Sequence, residues 1–196
     1  MKKRISALNE IVNKSQETVK FPKVEGEFAP GYIYGTVKTH KAGHPLRPII
    51  AQMSSPTYWT AKTLNRILTP YLPQGNTVKN SVEFIELLKT TAPGSHIATL
   101  DVENLFTNVP VLETIDYITD RVYRSDQEPI PIPENILRDL LKACTCEAPF
   151  MSHRGELYRQ IDGIAMGSPL GVLFAEMYMA KVEARTFDSI CRPRIY

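Results

Sequence analysis

Residues 96–110 read His96-Ile97-Ala98-Thr99-Leu100-Asp101-Val102-Glu103-Asn104-Leu105-Phe106-Thr107-Asn108-Val109-Pro110. The first six have the pattern of a short buried strand that closes on a carboxylate. Beyond Pro110 the apolar positions Val111, Leu112, Ile115, Ile118 and Val122 fall at helical spacing and predict a helix over 111–123. An Asp101 at the end of a buried strand is held rigidly yet exposed at the sheet rim, where it can coordinate a hard cation. The same residue type at a strand end also serves as a turn former or helix cap, and this stretch alone leaves both uses open. Phe106, five residues on, reads most simply as core.

Downstream, Ser125 to Pro133 is a Pro-rich connector, and Ile136, Leu137, Leu140, Leu141 and Cys144 mark a second amphipathic helix over 133–145. A hairpin follows, with strands near Phe150-Met151 and Leu157 to Ile161 and a turn at His153-Arg154-Gly155. Met166-Gly167-Ser168-Pro169 then leads into a long helix from Leu170 to about Phe187, with Ser168 as N-cap and Pro169 in its first turn. A glycine-led turn at a helix N-terminus presents free amides that suit a phosphate, and it is equally ordinary structural punctuation.

Upstream, Ile5, Leu8, Ile11 and Val12 share one face of an amphipathic N-terminal helix. Tyr32 to Lys38 and Leu46 to Gln52 read as a β-hairpin around the polar loop Thr39 to Pro45, with Lys38, Lys41 and Arg47 in the loop and its flanks. Ser55-Pro56 has the form of an N-cap and first helical residue for a helix carrying Trp59, Leu64, Ile67 and Leu68. Asn80 and Glu83 have capping-box spacing ahead of Phe84, Ile85, Leu87 and Leu88. Hairpins interspersed with helices place the chain in the α+β class.

The 196 residues are 43% apolar, enough for a buried core, and carry a net charge of +2. Residues 1–80 hold 12 basic and 4 acidic side chains, and residues 81–196 hold 11 and 17. A basic first part suits polyanions, and an acidic second part suits cations or solvation. No apolar run approaches the roughly 18 residues of a membrane span, and Met1-Lys2-Lys3-Arg4 leads into an amphipathic stretch rather than a signal-peptide core. The expectation is a soluble intracellular protein of the nucleus or cytoplasm, not bound to a membrane. Cys144, Cys146 and Cys191 form an odd set without a CxxC pair, which speaks for reduced thiols. His40, His44, His96 and His153 are scattered and read as solvated or hydrogen-bonded imidazoles.

Taken in order, these segments resemble a reverse transcriptase of the Penelope-like retroelement type. The resemblance spans Tyr32 to Glu183 and rests on Lys38-Thr39-His40-Lys41, Arg47-Pro48-Ile49, Leu100-Asp101-Val102, Leu105-Phe106-Thr107-Asn108-Val109-Pro110 and Ala165-Met166-Gly167-Ser168-Pro169-Leu170. It implies a right-hand polymerase, with an N-terminal segment and fingers over 1–95 and a partial palm over 96–196. Its ligands would be an RNA template, a DNA primer, deoxynucleoside triphosphates and two magnesium ions. Lys38 and Arg47 would reach the triphosphate. Asp101 would be the motif A carboxylate that holds both metals, and the Val102 carbonyl a further ligand. Amides around Asn104 and Leu105 would approach the phosphates, and Phe106 would be the steric gate that rejects a 2′-hydroxyl. Met166-Gly167-Ser168-Pro169 would be motif B, a turn and helix N-terminus packing against the template–nucleotide pair, with Met166 and Gly167 as its nucleotide-binding residues.

Methionine at 166 agrees with the Penelope-like pattern where many reverse transcriptases have glutamine. Gly171-Val172 departs from the Ser-Pro expected there. Motif C should supply an Asp-Asp pair, and none occurs in the 196 residues. Arg192-Pro193-Arg194-Ile195-Tyr196 resembles the approach to that hairpin, so the chain is expected to stop before it and to be inactive alone. The alternative is a non-enzymatic nucleic-acid-binding fragment derived from such an enzyme.

Overall fold

Both hairpins form, and they join. Gly31–Val37 (β1) pairs antiparallel with Leu46–Ala51 (β2), and Pro149–Met151 (β3) pairs antiparallel with Leu157–Arg159 (β4). A parallel pairing of Gly31 and Tyr32 with Phe150 and Met151 fuses them into one mixed sheet of order β2-β1-β3-β4. The computed structural model describes residues 2–15, 19–25, 27–73, 78, 80–91 and 98–189. The β1–β2 loop is closed by the Lys38 amide donating to the Pro45 carbonyl at 2.9 Å. The β3–β4 turn is closed by the Gly155 amide on the Ser152 carbonyl at 3.0 Å.

The helices are Lys2–Ser15 (α1), Tyr58–Leu68 (α2), Ser81–Thr90 (α3), Leu105–Asn108 (α4), Val111–Tyr123 (α5), Glu134–Cys144 (α6) and Gly171–Ser189 (α7). α5 has the bounds its periodicity predicts. In α3 the Asn80 side chain accepts from the Glu83 amide at 2.9 Å, as the capping spacing requires. α2 starts later than Pro56. The Ser55 hydroxyl is engaged with Thr57, meeting its Oγ1 at 2.9 Å and its amide at 3.4 Å, so Ser55 and Pro56 form a preceding turn and not a helix start. Similarly, Ser168 accepts from the Leu170 amide at 3.3 Å within a turn, and α7 begins only at Gly171.

One core crosses the expected boundary at residue 95. Leu8 and Val12 of α1 and Leu64 and Leu68 of α2 are buried together with Ile115, Ile118 and Val122 of α5. Leu137, Leu140 and Leu141 of α6 and Leu173, Phe174 and Met177 of α7 complete it. Burying each such side chain contributes about 1.5–3 kcal/mol relative to exposure. Cys144 lies in this core on the apolar face of α6; burial pushes its thiol pKa up, and its Sγ meets the Thr57 carbonyl at 3.8 Å. Cys144 and Cys146 are both free thiols, and Cys191 lies outside the described residues. The Pro-rich connector is tied down by Tyr71, whose hydroxyl donates to the Glu128 carbonyl at 2.6 Å, and by Tyr123, which donates to the Ile132 carbonyl at 2.5 Å.

The expected buried strand over 96–101 is not seen. His96 and Ile97 lie outside the described residues, and 98–102 is irregular, with Leu100 96% exposed. A strand exists only where a neighbour takes its amides and carbonyls. Among the described residues no strand lies beside this segment, so its apolar side chains face solvent. α3 is likewise amphipathic in sequence, but it buries none of its residues. No helix among the described residues is long and apolar enough to cross a membrane.

Candidate functional site

An open cleft of about 450 Å³ lies where the β1–β2 hairpin, α4 and the start of α7 meet. Its lining is Arg47, Phe106, Met166, Gly167, Ser168, Gly171 and Val172. This volume falls within the roughly 300–1,000 Å³ of small-molecule sites. Three stretches far apart in sequence therefore converge on one space.

The segment from Gly163 to Ser168 is the bracket that brings them together. At one end, the Ile164 amide donates to the Phe106 carbonyl at 2.7 Å. Gly163 there has φ +75, and a Cβ would stand 2.7 Å from the Thr107 carbonyl oxygen and 2.9 Å from that of Phe106. At the other end, the Ile50 amide on the outer edge of β2 donates to the Met166 carbonyl at 2.8 Å. Gly167 has φ +103, and a Cβ would stand 2.6 Å from the Ile50 carbonyl oxygen. Positive φ and backbone-to-backbone packing both demand glycine at these two positions. The Asp162-Gly163 dipeptide, whose carboxylate accepts the Gly163 amide at 2.8 Å, is a turn signal that could have flagged the bracket from sequence.

Asn104 sits in the left-handed region at φ 52, immediately ahead of α4. Its carbonyl accepts from the Thr107 amide at 3.1 Å, the Thr107 hydroxyl at 2.9 Å and the Asn108 side chain at 3.1 Å. This knot fixes the four-residue α4 and with it the half-buried Phe106. Lys38 does not line the cleft; its ammonium reaches the Asn104 side-chain oxygen at 3.5 Å across 66 residues of sequence. Leu105 packs against the core. Asp101 and Val102 are exposed and stand outside the cleft lining.

Exposed Arg47 has no carboxylate partner among the described residues, so its guanidinium is available to an anion. The acidic side is less complete. Among the described residues no group of three or more His, Cys, Asp or Glu side chains could hold a metal ion. Asp101 with the Val102 carbonyl is thus a single-carboxylate donor set, and it does not fit a site for two magnesium ions.

A second surface adjoins the cleft. Strand register puts Tyr32, Tyr34, Arg47, Leu157 and Arg159 on one face of the sheet. The two tyrosine rings lie 5.7 Å apart and tilted by 31°, and all five side chains are exposed. Gly171 and Val172 in the cleft, and the bracket residues Gly163 and Ile164, are the members of the site to which motif reading gave no role. Compared with known proteins, the chain matches no family model and no curated sequence.

Proposed function

We propose that this chain is the nucleotide-gripping part, fingers and partial palm, of an RNA-directed DNA polymerase of the Penelope-like kind. Its ligands would be deoxynucleoside triphosphates and an RNA template with its DNA primer. One observation carries the reading: Arg47, Phe106, Met166 and Gly167, taken from three separate motifs, line a single cleft. In this reading the Arg47 guanidinium offsets triphosphate charge, the Phe106 ring lies under the sugar and the 166–168 turn backs the base. Lys38, tethered to Asn104, adds a second cation at the phosphate end.

Catalysis is not expected of these 196 residues alone. They contain no Asp-Asp pair, and the described carboxylates do not assemble a metal site. The test is equilibrium binding of dTTP to the chain with poly(rA)/oligo(dT), alongside primer extension on the same substrate. Arg47→Ala should weaken dTTP binding by about tenfold, the value of one charge-assisted contact. Absence of dTTP binding by the unmodified chain, or an unaltered affinity in Arg47→Ala, overturns the nucleotide reading. Magnesium-dependent incorporation overturns the inactivity.

The exposed tyrosine pair and the two arginines on its sheet face favour a second reading, a non-enzymatic single-stranded nucleic-acid binder. Bases stack on aromatic rings while arginines neutralise phosphates. That reading requires affinity that falls steeply with salt, weakens in Tyr32→Ala with Tyr34→Ala, and ignores both Asp101→Ala and added dTTP.

A further inference from the structure

Gln52 follows β2, is only 5% exposed, and buries its side-chain oxygen without a hydrogen-bond partner. Its backbone is fixed, because its carbonyl accepts the Ser55 amide at 2.8 Å in the turn after the strand. A buried acceptor forfeits the hydrogen bond it has in water unless some group donates to it. Gln52 lines a cavity of about 10 Å³ whose wall also includes Thr145, Gln160, Gly163 and Ser168. That is room for one water molecule and for nothing larger. Ser168 belongs to both this cavity and the cleft.

Most donors in the wall are spent elsewhere. The Thr145 hydroxyl donates to the Leu141 carbonyl at 2.7 Å, and the Gly163 amide to the Asp162 carboxylate at 2.8 Å. The Ile164 amide donates to the Phe106 carbonyl at 2.7 Å and the Ser168 amide to the Ala165 carbonyl at 3.1 Å. The Ser168 hydroxyl oxygen accepts the Leu170 amide at 3.3 Å, which leaves its proton to give. No side chain in the wall is charged, so the cavity suits a small neutral molecule that both donates and accepts, and not a cation.

We propose that this cavity is a site for one buried water, which donates to Gln52 Oε1, accepts from the Ser168 hydroxyl, and so ties the end of β2 to the turn that lines the cleft. Gln52 is then a positioning residue for the 166–168 turn, adding a second attachment beside the backbone bond from Ile50 to Met166. The site stands whatever the cleft binds.

The test has two arms. A high-resolution crystal structure of the unmodified chain should show a water within about 3.2 Å of both Gln52 Oε1 and the Ser168 hydroxyl. A dry cavity, or a Gln52 oxygen that accepts from a protein donor, overturns the proposal. Gln52→Met keeps the side-chain length and removes the acceptor. In it, the number of long-lived waters read by oxygen-17 relaxation dispersion should fall by one, and the Ser168 amide should exchange about tenfold faster, the scale of one hydrogen bond. The Phe174 amide, bonded to the Leu170 carbonyl in the core, should keep its rate. An unchanged water count, or a Ser168 amide at the parental rate, overturns the bridge. If Gln52→Met does not unfold cooperatively, the crystal structure of the unmodified chain decides alone.

Discussion

Gly163 and Gly155 offer a matched pair for separating backbone conformation from close packing. Their φ values are +75 and +80, so alanine meets a comparable left-handed penalty of about 1–2 kcal/mol at both. Their surroundings differ. At Gly155 a new Cβ meets nothing within 4 Å. At Gly163 it meets Thr107 O at 2.7 Å, Thr107 Cα at 2.8 Å and Phe106 O at 2.9 Å, all backbone atoms. Relief requires the 163–168 segment to lift off α4, which sacrifices the 2.7 Å bond from the Ile164 amide to the Phe106 carbonyl, itself about 0.5–1.5 kcal/mol. Gly155→Ala should therefore cost about 1–2 kcal/mol and Gly163→Ala about 1.5–3.5 kcal/mol, before the lost packing around Phe106 is counted. Urea unfolding followed by circular dichroism reads this as two midpoint shifts at constant slope. Equal midpoint shifts in the two variants would refute the argument that Gly163 clamps the 163–168 segment to α4.

Leu140, fully buried in α6, should cost about 2–5 kcal/mol when changed to alanine, read as a fall in the urea midpoint; a loss under 1 kcal/mol would contradict its central place in the core. Tyr123→Phe removes the hydrogen bond to the Ile132 carbonyl and should cost about 1 kcal/mol at neutral pH. The Tyr123 pKa is pushed up to about 12, first by burial and then by Glu134 and Tyr71. The folded state thus holds this proton more tightly, and the stabilisation is complete below pH 10 and lost as pH rises toward 12. The difference in urea midpoint between the parent chain and Tyr123→Phe should therefore shrink across that window, and a constant difference would exclude the linkage. Asn80→Ala should destabilise α3 by about 0.5–2 kcal/mol, seen as faster amide exchange over 84–90. Because α3 buries none of its residues, the global urea midpoint should hardly move. A midpoint that falls in step would mean α3 is coupled to the core.

The core helices were legible because their side chains repeat at one spacing and find one another. Ile115, Ile118 and Val122, or Leu137, Leu140 and Leu141, declare the buried stripe in a single pass along the chain. The hairpins were equally plain, because the turn residues at 39–45 and 153–155 punctuate β-rich runs. The strand expected at 96–101 failed for a reason that periodicity cannot contain. Ala98 to Asp101 have the composition of a strand, but hydrogen-bonded extension needs a neighbour, and none is present among the described residues. Ser55 and Ser168 misled in a smaller way, since a hydroxyl that caps a helix can as readily close the turn before it.

For the candidate site, motif order named Arg47, Phe106, Met166 and Gly167 without stating that they share a cleft. Their meeting depends on two backbone hydrogen bonds, Ile164 to Phe106 and Ile50 to Met166, and on two glycines at positive φ. Residue identity along the chain is sufficient to set helices, turns and the alternation of buried and exposed positions, because those follow from interactions within a few residues. The fusion of the hairpins by a parallel pair of residues, the bracket at 163–168 and the nearness of Gly171 to the Phe106 ring are contacts between segments distant in sequence. Local pattern does not encode such contacts, which exist only once the core has closed and packed those backbones to within a few ångströms of each other.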